Sequence, residues 1–174
     1  MKDKQPEQKQ RKIIDPHHNN IIVAADHAGW KIKEELKPFL KKFGNVIDAG
    51  NTIYDENDDY PDFAAAACRM LRNEGGTAFL FCGSAEGMCI AANKMKRIRA
   101  VVGNTPKGVA QGRTHNDANV LCLAGGATKD AKTAQTVSLG KIQDMIRVWL
   151  STEFSSAKRH VRRIAKIRQL EQEK

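Results

Sequence analysis

Residues 77–94 read TAFLFCGSAEGMCIAANK. Thr77–Cys82 is a short, almost uninterrupted apolar run of strand length, and Gly83-Ser84-Ala85-Glu86-Gly87 forms a glycine-bearing turn. The helix-like MCIAANK follows. Strand, glycine loop and helix in immediate succession fit a parallel sheet, whose strands are apolar throughout because helices cover both faces.

The same alternation extends in both directions. Further short apolar runs stand at Ile21–Ala25, Val46–Ile47, Arg99–Val102 and Asn119–Leu123. Between them lie segments with helical periodicity. In the first, Ile32, Leu36, Phe39, Leu40 and Phe43 make one stripe, Pro38 is expected to kink the helix or shift its start, and Gly44 should cap its end. Residues 61–74 begin with Pro at a first helical position and end at Gly75-Gly76. Residues 130–150 place Val137, Ile142, Ile146, Trp149 and Leu150 on one side, and 155–172 carry Val161, Ile164, Ile167 and Leu170 as an apolar stripe. Strands alternating with helices predict an α/β fold with right-handed crossovers, and ligands of such sheets bind beyond the carboxyl ends of the strands.

The 174 residues suit one compact domain, residues 20–174, preceded by a polar extension over 1–19 that is expected to be disordered or loosely docked. The formal charge of +9 raises the question of nucleic acid. Residues 1–20 hold five basic and three acidic side chains, and residues 155–174 hold seven and two, which leaves the body of the chain nearly neutral. A duplex-binding surface needs many phosphate contacts over one face, so nucleic acid is not the expected partner. Neither a membrane-length apolar run nor a signal-peptide core is present, and a cytoplasmic location is expected. Cys68, Cys82, Cys89 and Cys122 lack both CxxC spacing and a disulfide framework, so no metal site is expected.

Polar groups follow the apolar runs: Asp26-His27-Ala28-Gly29, then Cys82–Gly87, then Arg113–Asp117 after a short helix, with Arg159, His160, Arg162 and Arg163 in the last helix. A thiol ending a buried strand is more often packing than chemistry. Beside Cys82, however, a glycine loop opening a helix can gather backbone N–H groups that attract an anion and lower a thiol's pKa. Ser84 reads equally as an N-cap, with Glu86 favourable in the first turn. His27 and His115 read either as surface or capping histidines or as acid–base groups beside Asp26 and Asn116. Arg159 and Arg163, four residues apart on one helix face, are either solvated or a phosphate clamp.

Together ADHAG (25–29), DAG (48–50), DYPDFA (59–64), CGSAEGMCIAANK (82–94), IRAVV (98–102), RTHNDANVL (113–121) and RHVRR (159–163) resemble the ribose-5-phosphate isomerase type B family, which also contains the galactose-6-phosphate isomerase subunits. The resemblance implies a Rossmann-like three-layer α/β/α sandwich with a five-stranded parallel sheet and a C-terminal helix reaching a neighbouring subunit. It implies a homodimer or tetramer with shared active sites, and aldose–ketose isomerisation of a sugar phosphate without metal or organic cofactor. Ribose 5-phosphate to ribulose 5-phosphate through a cis-enediolate is the expected reaction. Galactose 6-phosphate, allose 6-phosphate or a tetrose phosphate is an alternative substrate, and a non-catalytic sugar-phosphate sensor is an alternative role.

By the same resemblance, Cys82 is the base, Ser84 and the loop amides at Gly83 and Gly87 hold the enediolate, and His115 opens the sugar ring. Asp26 and Asn116 meet hydroxyls, Tyr60 lines the pocket, and His27, Arg159 and Arg163 take the phosphate. Three positions depart from the family pattern. Ala85 stands where a Gly is usual, Glu86 where an apolar residue is frequent, and Gly125-Gly126-Ala127 where many members carry an Arg, for which Lys129 is a candidate substitute.

Overall fold

In the computed structural model, which describes residues 19–126 and 137–173, the first apolar run is β1 (Asn20–Ala25). It is followed by α1 (His27–Leu40), β2 (Asn45–Asp48), α2 (Tyr60–Glu74), β3 (Thr77–Cys82) and α3 (Glu86–Ala92). Then come β4 (Ala100–Val102), α4 (Pro106–Asn116), β5 (Val120–Ala124), α5 (Leu139–Ser151) and α6 (Lys158–Leu170). Every strand pairing is parallel, in the order β2-β1-β3-β5-β4. This is the parallel α/β sheet expected from the alternation, in the Rossmann-like three-layer sandwich that the resemblance implies.

Alternate residues of the strands supply two cores. Ile21, Val23, Ala25, Phe79, Phe81, Leu121 and Leu123 face a layer made by Leu36, Phe39 and Leu40 of α1, Val109 of α4, and Ile142, Ile146 and Trp149 of α5. The intervening Ile22, Ala24, Ala78, Leu80, Cys82, Val120 and Cys122 face Ala64, Ala67, Cys68 and Leu71 of α2 and Met88 and Ala92 of α3. Each fully buried Leu, Ile or Phe contributes about 1.5–3 kcal/mol of transfer free energy, so the sheet is clamped from both sides. The small residues of α2 let that helix lie close to the sheet. On the other face, Trp149 reaches across the layer and donates its Nε1–H to Thr77 Oγ1 at 2.8 Å.

Two details differ from the periodicity. Pro38 lies in the last turn of α1, where the helix is ending anyway, so Lys41 is the C-cap and Gly44 falls beyond it in the turn that returns Asn45 to pair with Asn20. The stripe on α6 is only partly consumed: Ile164 is buried, whereas Val161, Ile167 and Leu170 are 49%, 42% and 58% exposed. Residues 1–18 of the expected extension, and the start of the segment expected over 130–150, lie outside the described residues. No helix among the described residues is long and apolar enough to cross a membrane.

From β1 the chain places β2 on one side and returns to place β3 on the other. The strand order therefore reverses between β1 and β3, and the carboxyl ends of these two strands, paired through Ala25 and Phe81, form the crevice where such sheets hold ligands.

Candidate active site

Asp26 leaves β1 directly into α1. As the N-cap it accepts the Gly29 N–H on Oδ1 at 2.9 Å, and its own N–H donates to the Phe81 carbonyl at 3.3 Å, which ties it to β3. Burial raises its carboxyl pKa, and the charge of Asp58 adds to that, against the Gly29 and Ala28 amides and His27.

His27 opens α1. Asp58 Oδ1 accepts both the His27 backbone N–H at 2.9 Å and a hydrogen bond with ring Nδ1 at 2.8 Å, while Asp58 Oδ2 accepts Asn51 Nδ2 at 2.9 Å. The loop that carries these residues is pinned from below by Lys33, whose side chain is wholly buried. Its Nζ donates to Asp48 Oδ1 at 2.9 Å, to Asp48 Oδ2 at 2.8 Å and to the Asn51 carbonyl at 2.7 Å. Burial alone would push the Asp48 carboxyl up, but Lys33, Lys37 and the Gly50 amide outweigh it and hold the pKa below the usual carboxylate range. On the outer side of this loop Tyr54 meets Trp30 edge-on at 6.0 Å.

Cys82 is the last residue of β3 and is 4% exposed. The nest expected from the sequence is present, since the backbone amides of Met88, Ala85 and Ser84 all act to lower the thiol pKa. The expected net effect is not found. Burial, aided by the charge of Asp26, exceeds the three amides and raises the pKa above the ordinary thiol value. Desolvation of a buried anion is the larger effect in this site.

The loop also shows what the departures do. Ala85 takes the left-handed conformation at φ 71° and is the N-cap of α3. Ser84 precedes the cap, and its Oγ accepts the Glu86 N–H at a long 3.4 Å. The side chain of Glu86 is exposed. A Cβ on Gly87 would lie 2.9 Å from Cζ of Tyr60, whose ring covers the first turn of α3, so any larger residue there has to displace that ring. Gly125 and Gly126 close the floor: Gly125 N–H donates to the Cys82 carbonyl at 2.6 Å and Gly126 N–H to the Gly83 carbonyl at 3.4 Å. Lys129 lies outside the described residues.

Asp26, His27, Tyr60, Cys82, Gly83, Ser84 and Gly87 thus gather at the carboxyl edge of the sheet. His115, Asn116, Arg159 and Arg163 do not join them within the chain. The end of α4 lies at the amino edge, where the Asn116 carbonyl accepts Arg99 Nε at 3.0 Å and Arg113 Nη1 donates to the Ala118 carbonyl at 2.5 Å. His115 stacks on His160 with ring centroids 4.6 Å apart. His160 is buried, accepts Arg159 Nε on its Nε2 at 3.1 Å, and meets Ser155 Oγ through Nδ1 at 2.7 Å. Burial, then the charges of Arg159, His115 and Arg163, lower its pKa and favour the neutral ring. Exposed His115, Asn116, Arg159 and Arg163 thus form a second basic group beside the uncovered stripe of α6.

Sequence reasoning missed Asp58, Asn51 and Lys33, and it gave His160 no role. Of these only His160 lay in a quoted motif. Asp58 and Asn51 sit in a long loop without periodicity, and the acidic residues just before DYPDFA were the available signal.

Comparison with known proteins follows the same lines. Residues 21–167 match the Ribose/Galactose Isomerase family. A Mycoplasma genitalium protein named "Probable ribose-5-phosphate isomerase B" is 38% identical over 157 residues, covering 88% of this chain and 97% of its own length. The crystal structure of ribose-5-phosphate isomerase B from Mycoplasma genitalium with bound ribulose-5-phosphate superposes with a TM-score of 0.78 at 36% identity, covering 89% of this chain and 97% of that one. A D-erythrulose-4-phosphate isomerase 2 from Mycolicibacterium smegmatis is 33% identical over 138 residues, 77% of this chain and 85% of its own.

Proposed function

Because the chain belongs to the ribose/galactose isomerase family and is a sugar-phosphate aldose–ketose isomerase, we propose that it interconverts ribose 5-phosphate and ribulose 5-phosphate at a site completed by a second copy of itself. The observation that carries this reading is the buried Cys82 thiol at the strand-order reversal, ringed by the amides of Ser84, Ala85 and Met88. Enediolate chemistry needs a base beside an acidified C–H, donors aimed at the developing oxyanion, and an anchor on the remote phosphate. The two edges of the sheet divide these needs between them.

In this reading the Cys82 thiolate takes the proton from C2 of the open-chain aldose and returns it to C1. The Ser84 hydroxyl and the loop amides hold the negative charge that passes between O1 and O2. Asp26 and Tyr60 border the sugar, and His27 faces the phosphate. The partner subunit's His115 opens the furanose ring by proton transfer at the ring oxygen, its Asn116 meets a hydroxyl, and its Arg159 and Arg163 complete the phosphate site. Guanidinium groups suit this role because they bind phosphate in a fork. The exposed Val161, Ile167 and Leu170 beside the second group supply apolar surface for subunit contact.

The raised thiol pKa keeps most of this base protonated at neutral pH. A four-carbon substrate is the second reading, favoured by the similarity to the Mycolicibacterium smegmatis enzyme. A coupled assay over phosphorylated tetroses, pentoses and hexoses decides between them. Ribose 5-phosphate is expected to give the highest kcat/KM, and a preference for a tetrose phosphate would overturn the assignment.

A further inference from the structure

We infer that Asp58 is a positioning residue that fixes the imidazole of His27 with its hydrogen on Nδ1, so that Nε2 is the nitrogen offered to the substrate. The inference rests on the reading of His27 as a phosphate-facing group. Asp58 itself is not part of any motif that carries the family resemblance.

The Asp58 side chain is only 6% exposed, and both of its oxygens are engaged. Oδ1 receives the His27 backbone N–H and the ring Nδ1, and Oδ2 receives Asn51 Nδ2. An ionised carboxylate accepts hydrogen bonds and donates none, so an Nδ1 at 2.8 Å from it has to carry the hydrogen. Nε2 has no partner among the described residues, and the ring is 30% exposed. An imidazole held in this way presents Nε2 as an acceptor when neutral and as a charged N–H donor when protonated. A phosphate oxygen needs the second of these.

The support behind Asp58 is continuous. Its partner Asn51 is held through its backbone carbonyl by the wholly buried Lys33, which is anchored on Asp48. Ring, carboxylate, amide and ammonium therefore form one chain of contacts from the core to the crevice. A carboxylate serving only to cap α1 would need the backbone bond alone; its grip on the ring nitrogen is what the positioning role adds.

Nitrogen-15 NMR of the His27 ring in the full chain, together with steady-state kinetics on ribose 5-phosphate, tests the inference. The wild type is expected to show Nδ1 protonated. In Asp58→Ala the ring should shift towards the Nε2-protonated tautomer and KM should rise about tenfold, with kcat within about twofold. Asp58→Asn keeps an oxygen for Nδ1–H and should restore the tautomer, with KM within about threefold of wild type. Nδ1 left unprotonated in the wild type would overturn the inference, as would an Asp58→Ala enzyme with an unchanged tautomer or unchanged KM. If Asp58→Ala fails to fold, the wild-type tautomer and the Asn variant still decide. If the wild type isomerises no sugar phosphate, the functional reading fails, and the ring tautomer still reports separately on Asp58.

Discussion

Cys82 and His115 stand at opposite edges of the sheet in one chain: the thiol ends β3, and the imidazole closes α4 beside the residues that lead into β4 and β5. With a strand of this length between the two edges, the separation is about 16 Å along the sheet. No side-chain rotation closes such a gap, so a reaction that uses both groups has to take them from different chains.

Subunit mixing tests this division. Cys82→Ala and His115→Ala should each lose at least about 100-fold in kcat as pure proteins. After subunit exchange the mixture should regain about one quarter of wild-type activity, because random pairing makes half of the dimers mixed, each with one intact site. A mixture as inactive as its parents would place both groups in one chain's site.

The pH profile follows from the thiol. Burial first, and then Asp26, raise the Cys82 pKa, so the thiolate fraction is small at neutral pH and grows as pH rises. Turnover should climb on the alkaline side, with a midpoint above the ordinary cysteine value of about 8.5. Asp26→Asn keeps a capping side chain but removes a negative charge, and it should move that midpoint to lower pH. A profile flat between neutral pH and the alkaline end would exclude Cys82 as the base.

Ala85 holds a left-handed conformation that costs a residue with a Cβ about 1–2 kcal/mol. Ala85→Gly should therefore stabilise the fold by about 1 kcal/mol and raise the thermal midpoint by about 2–4 °C. In the same loop, Glu86→Ile should leave turnover within about twofold, since that side chain is exposed. A fall of about two orders of magnitude would make Glu86 a proton-transfer group.

Lys33 and Asp48 link the loop to stability. Lys33→Met leaves Asp48 with Lys37 as its remaining cation and the Asn51 carbonyl without its donor, and it should cost about 3 kcal/mol in denaturant unfolding. Asp48 has a folded pKa below its unfolded value, so its contribution is present at neutral pH and is lost as pH falls below about 4. Asp48→Asn should be less stable than wild type at pH 7, and the gap should close in acid. A gap of constant size would remove the ion pair as its cause.

The strands were legible because their apolar runs have no competing pattern. The bounds of β3 follow directly from TAFLFC, and Cys82 and Asp26 were readable as strand-end residues facing a crevice. The end of α1 was not legible, since Gly44 looks like a cap although the chain needs those residues to turn into β2. The opposite placement of His115 was implicit in connectivity: a crossover helix carries the chain back to the amino edge, so its last turn cannot reach the strand ends. Asp58 escaped notice because its role comes from a long loop folding onto His27, a contact between residues 31 apart with no periodicity to announce it. The thiol pKa could not be judged either, because a nest is visible in glycines but the depth of burial that opposes it is set by packing.

The chain's two tryptophans sit in different places, and this gives it a pair of built-in optical reporters. Trp149 is buried under the sheet and bonded to Thr77, so its emission follows global melting. Trp30 lies against Tyr54 on the loop that carries Asn51 and Asp58, so its emission follows the crevice. With Trp149→Phe and Trp30→Phe proteins side by side, ordinary fluorescence separates loop rearrangement on ligand addition from loss of the whole fold, without any attached dye.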